Sequence, residues 1–344
     1  MKDNTADALV AKVFEWRRGF NAMYLIDLGV DLGLFRTVAE APGVQPREVA
    51  ERLGLHPPYV EIWFLAAYGF GLLESAGEGR FRLAPHVDSV LADSSHPRYL
   101  GGYVRLGTQF AAEDFQRCHE AFRSGLVRPF QGRGEDFVRV VAQATAGLQV
   151  VTTHKILPSL PGLRDTLAHG GQILEVGCGA GRLLILLARA FPSSRCVGVD
   201  IDPAGLELAR KALVEAGVAD RVEILEGDVT RVTTPDCFDA AVMVEVLHEI
   251  APSARAGVLA ACAQTLRRGG WLVIVDETYP STLEEARRPE FRFPLQTALE
   301  ELVWGNVVLT REEQDALLRQ AGFTGDIARE LIGEGFTVLT TQRV

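Results

Sequence analysis

Ten residues, Ile173 to Arg182 (ILEVGCGAGR), constrain this chain more than any other stretch. A short apolar run ends in Glu175 and Val176, and glycine then recurs at every second position, at Gly177, Gly179 and Gly181. Glycine takes up backbone conformations closed to other residues and lets the main chain approach a ligand closely. A strand that turns through such a loop into a helix also presents the free N–H groups of the helix start. The pattern predicts the opening strand and helix of an α/β sheet with a nucleotide-like ligand at the turn. The dinucleotide fingerprint is GxGxxG; here the spacing is GxGxG with arginine at 182, which disfavours a nicotinamide dinucleotide.

The residues that follow keep the rhythm of such a sheet. Short apolar runs at 172–176, 196–200, 222–226, 240–244 and 271–275 alternate with helical patterns at 182–191, 203–216 and 253–266. Continuous apolar strands separated by amphipathic helices predict a parallel sheet covered on both faces. The tail breaks the alternation: a helix over 311–321, a strand near 327–331, then Gly333 to Gly335 and a final strand over 336–341. The short glycine-containing connection allows those last two strands to pair antiparallel.

Carboxylates recur where the strands end. Asp200 closes the second strand (GVDID), where it can accept both hydroxyls of a ribose, and Asp228 follows the third (EGDV), where it can accept from an adenine amino group. With Glu175 they place three acids at the carboxyl ends of neighbouring strands, where open α/β sheets bind ligands. A cationic ligand suits that crevice.

A length of 344 residues fits two domains rather than one core. The first hundred residues read as a long or broken helix over 8–40, pausing at Gly29 and Gly33. A short helix over 47–53, a Gly54 stop, a second helix after Pro57-Pro58 and a glycine-rich hairpin returning over 80–83 follow. Helix, turn, helix and wing invite a DNA-binding reading, yet from Leu55 to Leu73 the only formal charge is Glu61. A formal net charge of −10 also works against a phosphate backbone. A helix apolar on more than one face points instead to burial, either in its own core or against a second subunit, and dimerisation is the preferred reading. Residues 96–165 read as a helical connector, with a Pro/Gly-punctuated linker over 158–171.

The N-terminal residues break their apolar character with charge, and the run from Ile62 to Leu73 is too short to span a bilayer, so a cytoplasmic protein is expected. Five scattered cysteines without a CxxC pair argue against a disulfide framework and a zinc site.

Residues 172–276 resemble the core of the class I S-adenosylmethionine-dependent methyltransferases. EVGCGAG is similar to that family's first motif, GVDID to the second, EGDV to the third, and RRGGWLVIVDE to the segment entering the fifth strand. The winged helix and the length resemble the plant caffeate-type and bacterial small-molecule O-methyltransferases. The resemblance implies an α/β fold: a Rossmann-like seven-stranded sheet with its last strand antiparallel, preceded by an all-helical winged-helix domain. It implies a dimerisation domain over 1–95, a connector and part of the acceptor pocket over 96–165, and the catalytic domain over 166–344. It further implies S-adenosyl-L-methionine as cofactor. Gly177, Gly179, Gly181 and Glu175 would hold the methionine end, Asp200 the ribose, and Asp228 with Val229 the adenine, with Ile201, Gly227 and Val244 also expected in the cofactor site.

The same resemblance places His248, in DAAVMVEVLHEI, where the family keeps a general base, with Glu277 as the acid that flanks and orients it. The chain departs from the family's usual His-Asp-Trp, since Glu249 and Ile250 follow the histidine. Acceptor contacts are expected from Phe20, Tyr24, Phe115, His154, Trp304 and Asn306. No metal is expected, because the metal-dependent catechol type lacks a winged helix and its Asp-Asn pair is absent here. The expected partners are a small-molecule acceptor, most plausibly a phenolic or enolic hydroxyl, and a second copy of the chain, with neither nucleic acid nor membrane. Methyl transfer to sulfur, nitrogen or carbon, and a ligand-sensing regulator without chemistry, are the alternative readings.

Overall fold

A computed structural model describes residues 5–232 and 234–344, and they form two compact units that divide between Ala112 and Glu113. The expected connector is therefore shared between the two units.

The N-terminal unit opens with helix α1 (Ala6–Asp31), capped by the Thr5 side chain, followed by α2 (Leu34–Glu40), α3 (Pro46–Leu53) and α4 (Pro57–Gly69). The expected pause at Gly29 does not occur; the chain breaks at Leu32 and Gly33, where φ is +72°. Gly29 stays helical for a packing reason: a Cβ there would fall 2.4 Å from the Phe35 ring and 2.6 Å from Trp63. A hairpin of β1 (Leu73–Gly77) and β2 (Arg80–Leu83) forms the wing, so this unit is not entirely helical. Its core gathers Phe35, Trp63, Phe64 and Leu73. Tyr59, Ile62, Leu65 and Tyr68 of α4 face outward, as do Leu9, Val13, Phe14 and Trp16 of α1. The unit ends in α5 (Gly101–Arg105) and a π-helical stretch over Leu106–Ala111.

The second unit begins with α6 (Ala112–Ser124), α7 (Glu135–Ala144), α8 (Ala146–Val151), α9 (Leu157–Ser159) and α10 (Leu163–Ala168). The last two occupy the expected linker. The sheet then follows: β3 (Gln172–Val176), α11 (Arg182–Ala190), β4 (Arg195–Asp200), α12 (Pro203–Glu215), β5 (Val222–Glu226), β6 (Phe238–Val244), α13 (Pro252–Thr265) and β7 (Leu266–Glu277). An inserted helix α14 (Arg292–Trp304), α15 (Arg311–Gln320), β8 (Ala328–Ile332) and β9 (Phe336–Gln342) complete it.

The strand order is β5-β4-β3-β6-β7-β9-β8, parallel from β5 through β7, with β9 antiparallel to both its neighbours. This is the expected seven-stranded sheet with a reversed last strand. Alternate side chains of the central strands fill two cores. Ile173, Val242 and Val273 pack with Leu183 and Leu184 of α11, while Leu174, Met243 and Ile274 pack with Leu259 of α13 and Leu318 of α15. Burial on both faces explains why these strands read as unbroken apolar runs. The strand order reverses direction of growth between β3 and β6, so the loops leaving those two strands flank the crevice at their carboxyl ends. Among the described residues, no helix is long and apolar enough to cross a membrane.

Candidate active site

The glycine loop leaves β3 with φ of +75° at Gly177, +47° at Gly179 and +74° at Gly181. Each glycine meets a different constraint. A Cβ on Gly177 would fall 2.4 Å from Val246 Cγ2, so this residue lets the loop after β3 close against the loop after β6. One on Gly181 would fall 2.9 Å from Ala209 Cβ of α12, whereas one on Gly179 would meet nothing within 4 Å. Gly179 borders open space, and its N–H donates to Asp200 Oδ2 at 2.7 Å. Asp200 Oδ1 accepts the Asp202 N–H at 2.8 Å, so this carboxylate ties two loops together while each oxygen keeps a further lone pair.

Glu175 is buried, and its Oε2 has no hydrogen-bond partner. Burial pushes its carboxyl well above the ordinary range, and the nearby Asp200 adds to the shift. Burial likewise raises Asp200 itself. A buried carboxylate with one oxygen unpartnered, beside a second carboxylate, is what a bound cation relieves. Farther along, Gly227 donates its N–H to the Asp200 carbonyl at 2.8 Å, and Asp228 caps the turn over Val229–Arg231 by accepting the Thr230 N–H at 2.8 Å. Val229 points its side chain into the core, which leaves only its main chain for a ligand; Ile201 is exposed and Val244 half-buried.

On the other side of the crevice, β6 ends at Val244. The chain passes through Glu245 at φ +58° and delivers His248 into the interior, 3% exposed. Asp276, at the end of β7, grips this residue twice. Its Oδ1 lies 2.5 Å from Nδ1, and its Oδ2 accepts the His248 backbone N–H at 3.2 Å. Glu301 of α14 brings Oε2 to 3.4 Å from Nε2. Arg255 of α13 donates Nη2 to the carbonyls of His248 at 2.8 Å and Val307 at 2.7 Å, which locks the loop in place. Burial pushes the imidazolium toward losing its proton, but Asp276 and Glu301 outweigh that and hold the ring charged well above the ordinary histidine range.

Glu277 does not take the orienting role expected of it. Its carboxylate accepts from Thr297 Oγ1 at 2.8 and 3.0 Å, and Asp276 holds the histidine instead. Successive side chains of an extended strand diverge, so a one-residue step moves the carboxylate to a different neighbour. Burial raises Glu277 to about 7 although the charge of His248 opposes the shift.

The expected acceptor contacts scatter. Trp304 is 4% exposed, donates Nε1 to Asp114 Oδ2 at 2.7 Å and is wedged among Phe130, Phe137 and Arg133. Asn306 donates Nδ2 to Glu301 Oε2 at 2.7 Å. Both side chains are thus committed to holding α14. Phe115 is exposed on α6, and His154 is exposed on a π-helical turn. Phe20 and Tyr24 belong to the N-terminal unit, where their rings stack at 4.9 Å and Tyr24 donates to the Thr108 carbonyl. A groove of about 630 Å³ between residues 151–160 and β8 contains none of the expected residues. The residues that sequence reasoning missed are Glu301, which lies in an insertion without a motif, and the orienting role of Asp276. Glu245, His248 and Asp276 also bring one donor atom each within 4.8 Å of one another.

Known proteins share the segment that carries the glycine loop and the fold around it. Residues 173–270 match the family described as methyltransferase domain. The chain is 29% identical over 254 residues to the 3-hydroxy-5-methyl-1-naphthoate 3-O-methyltransferase of Streptomyces sahachiroi, covering 71% of this chain and 70% of that one. It is 28% identical over 250 residues to the tetracenomycin polyketide synthesis 8-O-methyl transferase of Streptomyces glaucescens, covering 72% of each. The crystal structure of human N-acetylserotonin methyltransferase in complex with S-adenosylmethionine superposes with a TM-score of 0.80 at 19% identity, over 100% of this chain and 99% of that one.

The fold, the glycine loop and these matches make the chain a class I S-adenosylmethionine-dependent methyltransferase. Its methyl donor is S-adenosylmethionine, a cation that fits the unpartnered Glu175 oxygen, the open face of Gly179 and the carboxylate of Asp200.

Proposed function

We propose that this enzyme methylates a phenolic or enolic hydroxyl of a small, partly apolar acceptor, with His248 taking the hydroxyl proton. The observation that carries the reading is the His248–Asp276 pair just past the end of β6, beside the glycine loop that Val246 touches. The donor supplies a methyl group already activated on a positively charged sulfur. The chain's own task is to place the acceptor oxygen in line, which can supply about 7–11 kcal/mol, and to manage its proton. A phenol titrates near pH ~10, so its proton must leave as the oxygen attacks, and a positioned imidazole contributes roughly 10²–10⁴-fold. Asp276 on Nδ1 orients the ring, and the base role requires the acceptor hydroxyl to take the place of Glu301 at an unprotonated Nε2.

The 3-O- and 8-O-methyltransferase activities in the names of the two Streptomyces relatives support oxygen as the acceptor atom. Glu175, Gly177, Gly179, Gly181, Asp200, Ile201, Gly227, Asp228, Val229 and Val244 form the proposed donor site. The outward apolar faces of α1 and α4 support a homodimer built through the N-terminal unit, and the lack of any cationic side chain in α4 opposes DNA binding through that helix. The composition and the absence of an apolar spanning helix among the described residues accord with a cytoplasmic enzyme.

The test is mass spectrometry of phenols, thiols and amines incubated with methyl-labelled donor, for the parent and for His248→Ala. Labelled phenol ethers and a turnover loss of roughly 10²–10⁴ in the variant, with donor affinity retained, are expected. A loss below about tenfold overturns the base role.

A further inference from the structure

Arg133 is a charged side chain that the fold buries without fully pairing it. It lies on the connection between α6 and α7, yet its side chain is only 6% exposed. Its Nη1 forms an ion pair with Asp114 Oδ2 at 2.7 Å, whereas Nη2 is closed off from solvent and has no hydrogen-bond partner. The guanidinium lies 4.4 Å from the centroid of the Phe137 ring and 5.8 Å from that of Trp304. Phe130 completes an aromatic box, its ring 4.9 Å from Phe137 and 5.5 Å from Trp304.

Neutralising Asp114 does not account for this arginine. Asp114 already accepts from Arg128 Nη1 at 2.6 Å on Oδ1 and from Trp304 Nε1 at 2.7 Å on Oδ2. Arg133 therefore brings a second positive charge to one buried aspartate, and a buried N–H donor left without an acceptor is costly. Glu113 is engaged by Arg128 and Arg117, at 3.1 and 3.2 Å. Among the described residues Glu300 of α14 pairs with no arginine; burial, together with Glu301, Glu277 and Asp114, pushes its carboxyl up to about 7.

A free guanidinium N–H suits an anion, a carboxylate above all, and the aromatic walls suit a planar ring attached to it. The box is also placed for an acceptor. Trp304 follows Glu301 by one turn of α14, and Glu301 stands 3.4 Å from His248 Nε2. Side chains three apart on a helix are neighbours, so box and histidine can face the two ends of one small molecule. Acids crowd the histidine end, at Glu245, Glu249, Glu277 and Glu301, and would repel an anion there. An anionic group is thus directed to the Arg133 end.

We propose that Arg133 selects acceptors bearing a carboxylate on the same aromatic system as the methylated hydroxyl, so that the substrate class is a hydroxyaryl carboxylate. Nη2 donates to the carboxylate, the box rings flank the acceptor ring, and the hydroxyl lies toward His248. Because Nη2 is shielded from solvent in this structure, the acceptor enters by displacing Phe130, the half-buried ring of the box. No bond to Arg133 is made or broken; its role is recognition.

This inference deepens the proposed hydroxyl methylation and rests on it, but the anion site is tested by binding alone. Para-hydroxybenzoate, 6-hydroxy-2-naphthoate and their methyl esters are titrated calorimetrically into enzyme saturated with S-adenosylhomocysteine, for the parent, Arg133→Gln and Arg133→Lys. The parent is expected to bind at least one acid about tenfold or more tightly than its ester. Arg133→Gln is expected to erase that ratio and Arg133→Lys to keep part of it. Esters bound as tightly as both acids by the parent, or a ratio that Arg133→Gln leaves in place, overturn the proposal. Uptake of S-adenosylhomocysteine checks that each variant folds; should Arg133→Gln fail, the ratios of the parent and Arg133→Lys decide. Mass spectrometry with methyl-labelled donor separates the two readings. Acids that bind through Arg133 without gaining a methyl on oxygen leave the anion site standing and remove the hydroxyl reading. Neutral phenols methylated while both acids stay unbound do the reverse.

Discussion

Gly177→Ala perturbs the point where the two loops of the crevice meet, and its cost can be worked from two separate terms. The backbone stands at φ +75°, and holding a side-chain-bearing residue in that left-handed region costs about 1–2 kcal/mol. The new Cβ would also lie 2.4 Å from Val246 Cγ2 and 2.9 Å from Cγ1, well inside the carbon–carbon optimum of about 3.5–4.0 Å. Overpacking of this kind costs about 1–3 kcal/mol, for a total of about 2–5 kcal/mol. Gly179→Ala serves as the control, since its φ is +47° but its Cβ meets nothing within 4 Å; only the backbone term, about 1–2 kcal/mol, applies. Val246→Ala removes both offending methyl groups and leaves a Cβ at 3.3 Å. The double variant Gly177→Ala/Val246→Ala is therefore expected to be more stable than the sum of its single changes by about 1–3 kcal/mol. Urea unfolding of the four variants and the parent, followed by the fluorescence of Trp271 and Trp304, measures all the terms. Equal costs at Gly177 and Gly179, or additive energies in the double variant, would refute the argument.

Two further outcomes follow from the acidic cluster. Glu277 is raised from the ordinary 4.5 to about 7, so its protonated form stabilises the fold below pH ~4.5 and that stabilisation is lost as pH rises through ~7. Glu277→Gln should remove this dependence, gaining about 3 kcal/mol on the parent between pH 4.5 and pH 8 in urea unfolding; a constant difference would contradict the assignment. Chelation by EDTA should leave turnover unchanged, because the Nδ1 of His248 is committed to Asp276 and is not a free lone pair for a metal; activity that is lost and then restored by a divalent cation would make Glu245, His248 and Asp276 its ligands.

What the sequence disclosed and what it withheld divide along a physical line. The sheet was legible because strands buried on both faces leave unbroken apolar runs, and the glycine loop because three positive φ values leave three glycines. Asp200 and His248 were legible because the first closes a strand and the second follows a strand end within a few residues. Glu301 was not, since its approach to His248 is set by how α14 packs, with Thr297 on Glu277, Trp304 on Asp114 and Asn306 on Glu301 itself. None of those contacts has a fixed spacing in sequence. The choice between Asp276 and Glu277 turned on a single step along β7, which periodicity cannot resolve at a strand end. Helix α10 escaped notice because six residues give too few turns to display a helical period.

Calorimetric titration of S-adenosylmethionine into the parent and into Asp200→Ala bears most directly on the donor crevice. Asp200 both holds the Gly179 N–H and offers the carboxylate at the end of β4, and a hydrogen bond to a charged group is worth about 1.5–3 kcal/mol. The variant should therefore bind the donor at least about tenfold more weakly than the parent. Equal affinity in the two proteins would contradict the placement of the donor at this crevice.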